Sequence, residues 1–173
     1  MFNLSNADEN GAFYNLIQHH GYPTPLLDWT YSPYVAAFFA YRETSNEKAA
    51  PVVSADDRVR VLILDRIRWD SDFSPILMAD PAVQHFSIAE FIAIENERLI
   101  PQQAVSSVTN IDDIETFIQS KESEAGYYLR AIDLPRSERK RVMRELSTMG
   151  ITAGSLFPGI DGACEELKER YFD

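Results

Sequence analysis

The chain has 173 residues, 45% of them apolar and 12% aromatic, enough to bury the core of one domain without disulfides. Its 27 acidic and 16 basic side chains give a formal charge of −11, which speaks against broad electrostatic binding to nucleic acid or an anionic membrane. A single cysteine, Cys164, excludes an internal disulfide and a cysteine-based zinc site. It also fits a reducing cytosol, and the N-terminal residues have neither the basic flank nor the apolar run of a signal peptide. No window approaches the roughly 18 apolar residues of a membrane span, so a cytoplasmic protein without membrane contact is expected.

Phe13, Leu16, Ile17 and His20 follow the i, i+3, i+4, i+7 spacing of a helix, with Ser5 or Asn6 as its cap and Gly21 as its stop. Leu26 to Trp29 form a short extended run, held out of the helical region by Pro23 and Pro25. Ser32-Pro33 opens a second helix, whose body, Tyr34 to Tyr41, is apolar nearly all round and so predicts burial. The small, polar stretch 44–57 predicts an exposed loop, and Val59 to Asp65 a strand.

Residues 73–88 carry no clear period. Two strands are expected at 91–95 and 105–108, around a polar stretch at 96–103. A helix capped by Asn110 should place Ile111, Ile114, Phe117 and Ile118 on one face, and Tyr127 to Leu134 a strand closed by Pro135. Ser137 begins a basic amphipathic helix with Val142, Met143, Leu146 and Met149 inward and Gly150 as its stop. Asp161 caps a last helix through Ala163, Leu167 and Tyr171. About five short strands and five helices that do not alternate regularly predict an α+β fold in a single domain over 1–173, with no splitting linker.

The segment Gln18-His19-His20-Gly21-Tyr22-Pro23-Thr24-Pro25-Leu26-Leu27-Asp28-Trp29-Thr30, followed by the Ala- and Phe-rich helix, resembles the FRG domain, a bacterial and phage family named for a Phe-Arg-Gly or Tyr-Arg-Gly motif. Weaker echoes are Arg98-Leu99-Ile100-Pro101-Gln102-Gln103-Ala104, Gly150-Ile151 and Leu156-Phe157-Pro158-Gly159-Ile160-Asp161-Gly162, so the resemblance runs from about residue 13 to about 168. The Phe-Arg-Gly or Tyr-Arg-Gly motif itself is absent, Pro25 stands at the family's Arg and Ala104 at its Gly. The resemblance therefore implies the C-terminal part of an FRG domain, or a shortened relative.

A more distant resemblance, in Leu26 to Ala40, is to the ADP-ribosyltransferases, where a strand ending in Ser or Thr runs into an Ala- and Phe-bearing helix. It implies an incomplete fold of that kind, with NAD as substrate, Thr30 beside the nicotinamide ribose, and Gln102 or Gln103 stabilising the cationic transition state. A Gln lacks the full charge of Glu and favours binding or slow reaction. His19, His20, Thr24, Asp28 and Arg98 are the binding residues this reading implies. A protein partner would supply the missing arginine motif, in a toxin–antitoxin or phage-defence setting. The alternative is a non-catalytic split or remnant module that acts through protein contact.

Each of these residues has a plainer reading. His19 and His20 are neighbours pointing about 100° apart on a helix, with no second His three or four positions away, so no metal site is expected, and the plainer reading is a buried, hydrogen-bonded His that closes the helix against the turn. Asp28 either binds ribose hydroxyls or accepts backbone N–H groups of the Pro-rich turn; Trp29 stacks a ring or fills core; Thr30 caps a helix. Arg136, Arg139, Lys140, Arg141 and Arg144 form a basic face, solvated and paired with local carboxylates or in contact with a nucleotide phosphate or nucleic acid. Cys164 is expected to be a small buried residue.

Overall fold

The computed structural model describes residues 2–44, 57–77, 82–91, 97–123 and 126–172, without the His19 side chain. Among these residues the chain is α+β, as its pattern predicts, with eight α-helices and five strands in two small sheets. The residues cluster into two compact units that interleave in sequence: Met1–Trp29, Ile63–Asn96 and Ala104–Arg130 in the first, Thr30–Leu62, Glu97–Gln103 and Ala131–Asp173 in the second. The chain passes repeatedly from one to the other, which is why no single linker marks a boundary in the sequence.

In the first unit, helix α1 (Ala7–His19) starts at Asn6, whose side chain accepts the backbone N–H groups of Asp8 and Glu9. It stops at Gly21, with φ of 81°. Strand β1 (Leu26–Thr30) follows, and only its last residue belongs to the second unit. β1 is the edge of a three-stranded sheet of order β1-β4-β3, with β4 (Ala104–Thr109) in the middle and β3 (Phe86–Ala89) antiparallel to it. The buried serines of this sheet are satisfied: Ser107 Oγ accepts the Trp29 indole N–H at 3.0 Å and Ser87 Oγ accepts the Ile76 N–H at 2.8 Å.

Helix α3 (Arg66–Asp72), capped by Asp65, buries Trp69, whose indole donates to the Phe86 carbonyl at 3.1 Å. The Trp69 ring packs against Phe73, Phe86 and Tyr128. Leu26, Ala89 and Val108 form a second buried cluster with Tyr14, Leu77 and Phe91. Helix α5 (Ile114–Gln119) is capped by Asp113, not Asn110. Asn110 instead staples a turn, accepting the His85 N–H at 3.0 Å and donating to the Val83 carbonyl at 2.8 Å. The expected strand at 91–95 falls mostly outside the described residues, as do positions 45–56 of the expected loop.

In the second unit, helix α2 (Pro33–Arg42) is capped by Ser32 with Pro33 at its start, and buries Val35, Phe38 and Tyr41. It is not buried all round: Tyr34 and Phe39 reach solvent, because the core contacts only one side of it. Phe38 and Val35 pack with Leu146, Ala153, Leu156 and Phe157. The Tyr41 hydroxyl donates to the Pro135 carbonyl at 2.8 Å. Strands β2 (Arg58–Leu64) and β5 (Leu129–Pro135) pair as a two-stranded sheet, in whose second-unit part Arg60 grips Asp133 with two hydrogen bonds of 2.7 and 2.9 Å.

A 3₁₀ turn at Arg136–Glu138 leads into α6 (Arg139–Thr148), so the basic helix starts two residues later than Ser137. Met149 lies at its C-cap and is exposed rather than inward, since the helix ends before its side chain can return to the core face. A short helix α7 (Ala153–Leu156) with a capping box at Thr152 precedes α8 (Ile160–Phe172). Asp161 sits inside the first turn of α8 rather than capping it. Gly162 is buried, and a Cβ there would collide with the backbone carbonyls of Phe157 and Ala153. Cys164 is exposed, not buried, because α8 turns Gly162 and its carboxylates inward instead.

Candidate functional site

In the second unit the motif residues Thr30, Arg98, Gln102 and Gln103 come together with Leu156-Phe157. The Thr30 hydroxyl donates to the Gln102 carbonyl at 2.7 Å and accepts the Ser32 N–H at 3.0 Å. The Gln102 side-chain amide, at the end of the short helix α4 (Leu99–Gln102), donates to the Leu156 carbonyl at 2.9 Å. Gln103 is left-handed, with φ of 47°, and its carbonyl accepts the Tyr31 N–H at 3.1 Å. The Arg98 guanidinium lies 5.3 Å from the Phe157 ring centre and that of Arg42 lies 4.2 Å from it, while Phe38 and Phe39 pack their rings against the same residue.

The remaining sequence-predicted residues belong to the first unit. His19 ends α1, and its side chain lies outside the described residues; His20 is the C-cap of α1 and is exposed rather than buried. Thr24 shares a hydrogen bond with Gln18 and accepts the Leu26 N–H at 3.3 Å, which makes it a turn-forming residue. Asp28 stands exposed on β1. The two units thus divide the predicted set, with Thr30, Arg98, Gln102 and Gln103 in one and His19, His20, Thr24 and Asp28 in the other.

A separate cleft of about 370 Å³ opens in the second unit between α2, α6, the 151–153 segment and α8. Phe38, Met143, Ile151 and Ala153 supply apolar lining. Five cations, Arg42, Arg139, Lys140, Arg144 and Arg170, face three carboxylates, Glu165, Glu166 and Glu169. Arg42 holds Glu165 with two hydrogen bonds of 2.6 and 2.7 Å, which keeps that carboxyl below its usual range and raises the guanidinium. Arg139 is not on a solvated face: it is buried, donates to Glu169 at 2.6 Å and to the Tyr41 carbonyl at 3.3 Å. Glu166 accepts from Thr152 at 2.7 Å and from Arg170 at 2.8 Å.

Lys140 and Arg144 remain as exposed cations with no ion pair among the described residues. They stand one helical turn apart on α6, at the i, i+4 spacing that puts both on one side. That spacing was visible in the sequence, but the apolar wall beside it depends on contacts no local pattern records. No group of three His, Cys, Asp or Glu residues that could hold a metal occurs among the described residues. No helix among them is long and apolar enough to cross a membrane.

Residues 2–49 match the family model of the FRG domain. The match supports the FRG family for this chain and takes in α1, β1 and α2. It lies in the N-terminal part of the chain, so the FRG reading of the 98–104 and 150–162 echoes rests on their order alone. The placement of the chain as the C-terminal part of an FRG domain gains no support from it, nor does the likeness to ADP-ribosyltransferases. No curated protein and no solved structure matches the chain.

Proposed function

We propose that this FRG-type chain is a module that binds NAD or another nucleotide in the second-unit cleft, with an ADP-ribosyltransferase-like origin and a role in bacterial or phage defence or toxin systems. The observation that carries the binding reading is the pair Lys140 and Arg144 beside an apolar wall of Phe38, Met143 and Ile151. Such a site suits a ligand with phosphates at one end and a flat ring at the other, and its volume lies within the ordinary range of small-molecule pockets. Binding rather than cleavage is the activity of the chain alone, because Thr30 and Gln102 already bond backbone groups. Calorimetry with NAD, ADP-ribose and AMP tests this: binding is expected, and lost by about tenfold or more in Lys140→Glu/Arg144→Glu with an unchanged melting temperature. No binding of any of the three at millimolar ligand, or undiminished binding by the double variant, overturns it.

A second reading has its own observation. β1 is the edge strand of its sheet among the described residues, with Leu27 and Asp28 exposed, which suits the addition of a strand from a protein that carries a Phe-Arg-Gly motif. Nicotinamide release that appears only when such a chain is mixed in would favour this split module.

A further inference from the structure

The second-unit cleft grades from charge to apolar surface along helix α6. Lys140, Arg144 and Ser147 all line it, at i, i+4 and i+7, within about 60° of one another around the axis and over about 10 Å of its length. Each carboxylate of the cleft is tied to an arginine, Glu165 to Arg42, Glu166 to Arg170 and Glu169 to Arg139. Lys140 and Arg144 thus add two positive charges that no carboxylate among the described residues pairs, in a chain of formal charge −11. No other described residue bonds the exposed Ser147 hydroxyl. Past Gly150, left-handed with φ of 80°, the Ile151 N–H returns to the Leu146 carbonyl at 2.9 Å. That turn brings Ile151 and Ala153 to the C-terminal end of α6 as the apolar end of the cleft.

We propose that the cleft selects a ribonucleotide carrying a pyrophosphate, laid along α6 with its β-phosphate at Lys140, its α-phosphate at Arg144, its ribose hydroxyls at Ser147 and its base against Ile151 and Ala153. This rests on the nucleotide reading above and adds to it the number of phosphates, the direction of the ligand and the role of Ser147. The order of side chains along the helix is the order of groups along such a ligand: two anions, a diol, a ring. Two cations one turn apart on long stems reach adjacent phosphates, whereas a monophosphate fully engages only one of them. The Ser147 hydroxyl can donate and accept, as the ribose diol does. The reverse direction would set the phosphates against an apolar wall that cannot solvate them, beside the Glu166 carboxylate that Thr152 holds at that end.

Calorimetry of the full chain with ADP, AMP and 2′,3′-dideoxy-ADP tests it. ADP is expected to bind about tenfold more tightly than AMP, the worth of one further hydrogen bond to a charged group. Lys140→Gln should abolish that preference, so that ADP binds no better than AMP, whereas Arg144→Gln should weaken both. Dideoxy-ADP should bind about three- to tenfold less tightly than ADP, and Ser147→Ala should erase the difference. The comparisons of ADP with AMP and with its dideoxy form use the unaltered chain. Equal binding of ADP and AMP, or of ADP and dideoxy-ADP, overturns the proposal and leaves the nucleotide reading standing. So does a preference for ADP that survives Lys140→Gln, or a dideoxy penalty that survives Ser147→Ala. No binding of any of the three at millimolar ligand overturns both.

Discussion

Replacing Gln102 by Glu separates the two roles this side chain has been given, because they predict effects of opposite sign. The amide N–H reaches the carbonyl of Leu156, a residue only 2% exposed, at 2.9 Å. Removing a donor from a buried carbonyl costs about 1–3 kcal/mol, so Gln102→Ala should lower stability by about 2 kcal/mol. For a chain of 173 residues that is a fall in melting temperature of about 4–8 °C. An ionised Glu does worse than Ala, since it sets carboxylate oxygen against carbonyl oxygen, and adds about 1 kcal/mol more. The neutral acid can donate to Leu156, so the introduced carboxyl has a raised folded-state pKa. Its bond is therefore present below the unfolded value of about 4.3 and lost as pH rises through the folded one, and the deficit against wild type should be larger at pH 7 than at pH 4. Thermal melts at both pH values, paired with a nicotinamide-release assay on NAD, decide the matter. A Gln102→Glu chain as stable as wild type with faster nicotinamide release would refute the scaffold role and restore the catalytic one.

Gln103→Gly should raise stability by about 0.5–1 kcal/mol, read as a higher melting temperature, since glycine removes the Cβ penalty at a φ of 47°. Gly162→Ala should cost about 1–3 kcal/mol, because its Cβ would meet the carbonyls of Phe157 and Ala153 and push α8 off α7; unchanged melting would contradict that packing. Glu165 is held below its usual carboxylate range chiefly by its hydrogen bonds from Arg42, so its contribution is full above the unfolded value and fades as pH falls through the lowered folded one. The pair is partly exposed, so the amount is about 1 kcal/mol or less, and Glu165→Gln should lose that much near pH 7 and progressively less in acid.

The elements legible in the sequence are those whose signals are local. Asn6 and Ser32 bond N–H groups two or three residues on, and Gly21 and Gly150 take the left-handed turn that ends a helix. What escaped depends on distant partners. β3 reads as Phe-Ser-Ile-Ala, without alternation, because it is buried on both faces, and Ser87 is tolerated only through the Ile76 N–H. Asn110 has the chemistry of a cap, but His85 and Val83 take its amide, and Asp113 caps in its place. Cys164 contradicts the usual burial of cysteine because partners from α2 and α6 draw the acidic side of α8 inward. Of the predicted site residues, Thr30 and Gln102 could be placed near each other from the resemblance, yet their engagement with backbone groups was invisible.

That engagement bears on where chemistry can reside in this unit. Thr30, Arg98, Gln102, Leu156 and Phe157 belong to the stretches that resemble the FRG motifs, and the fold alone explains them: each bonds or stacks on another across 54 or more positions of sequence. A hydroxyl that both donates to one backbone carbonyl and accepts one backbone N–H has little capacity left for a ribose. An amide whose N–H fixes Leu156 can turn its oxygen to a ligand only within the rotation that bond permits. Lys140 and Arg144 are under no such constraint, and an anion that meets them displaces water rather than a structural partner. Ligand affinity should therefore follow these two cations, and stability should follow Thr30 and Gln102, so that substitutions in the two sets separate binding from folding.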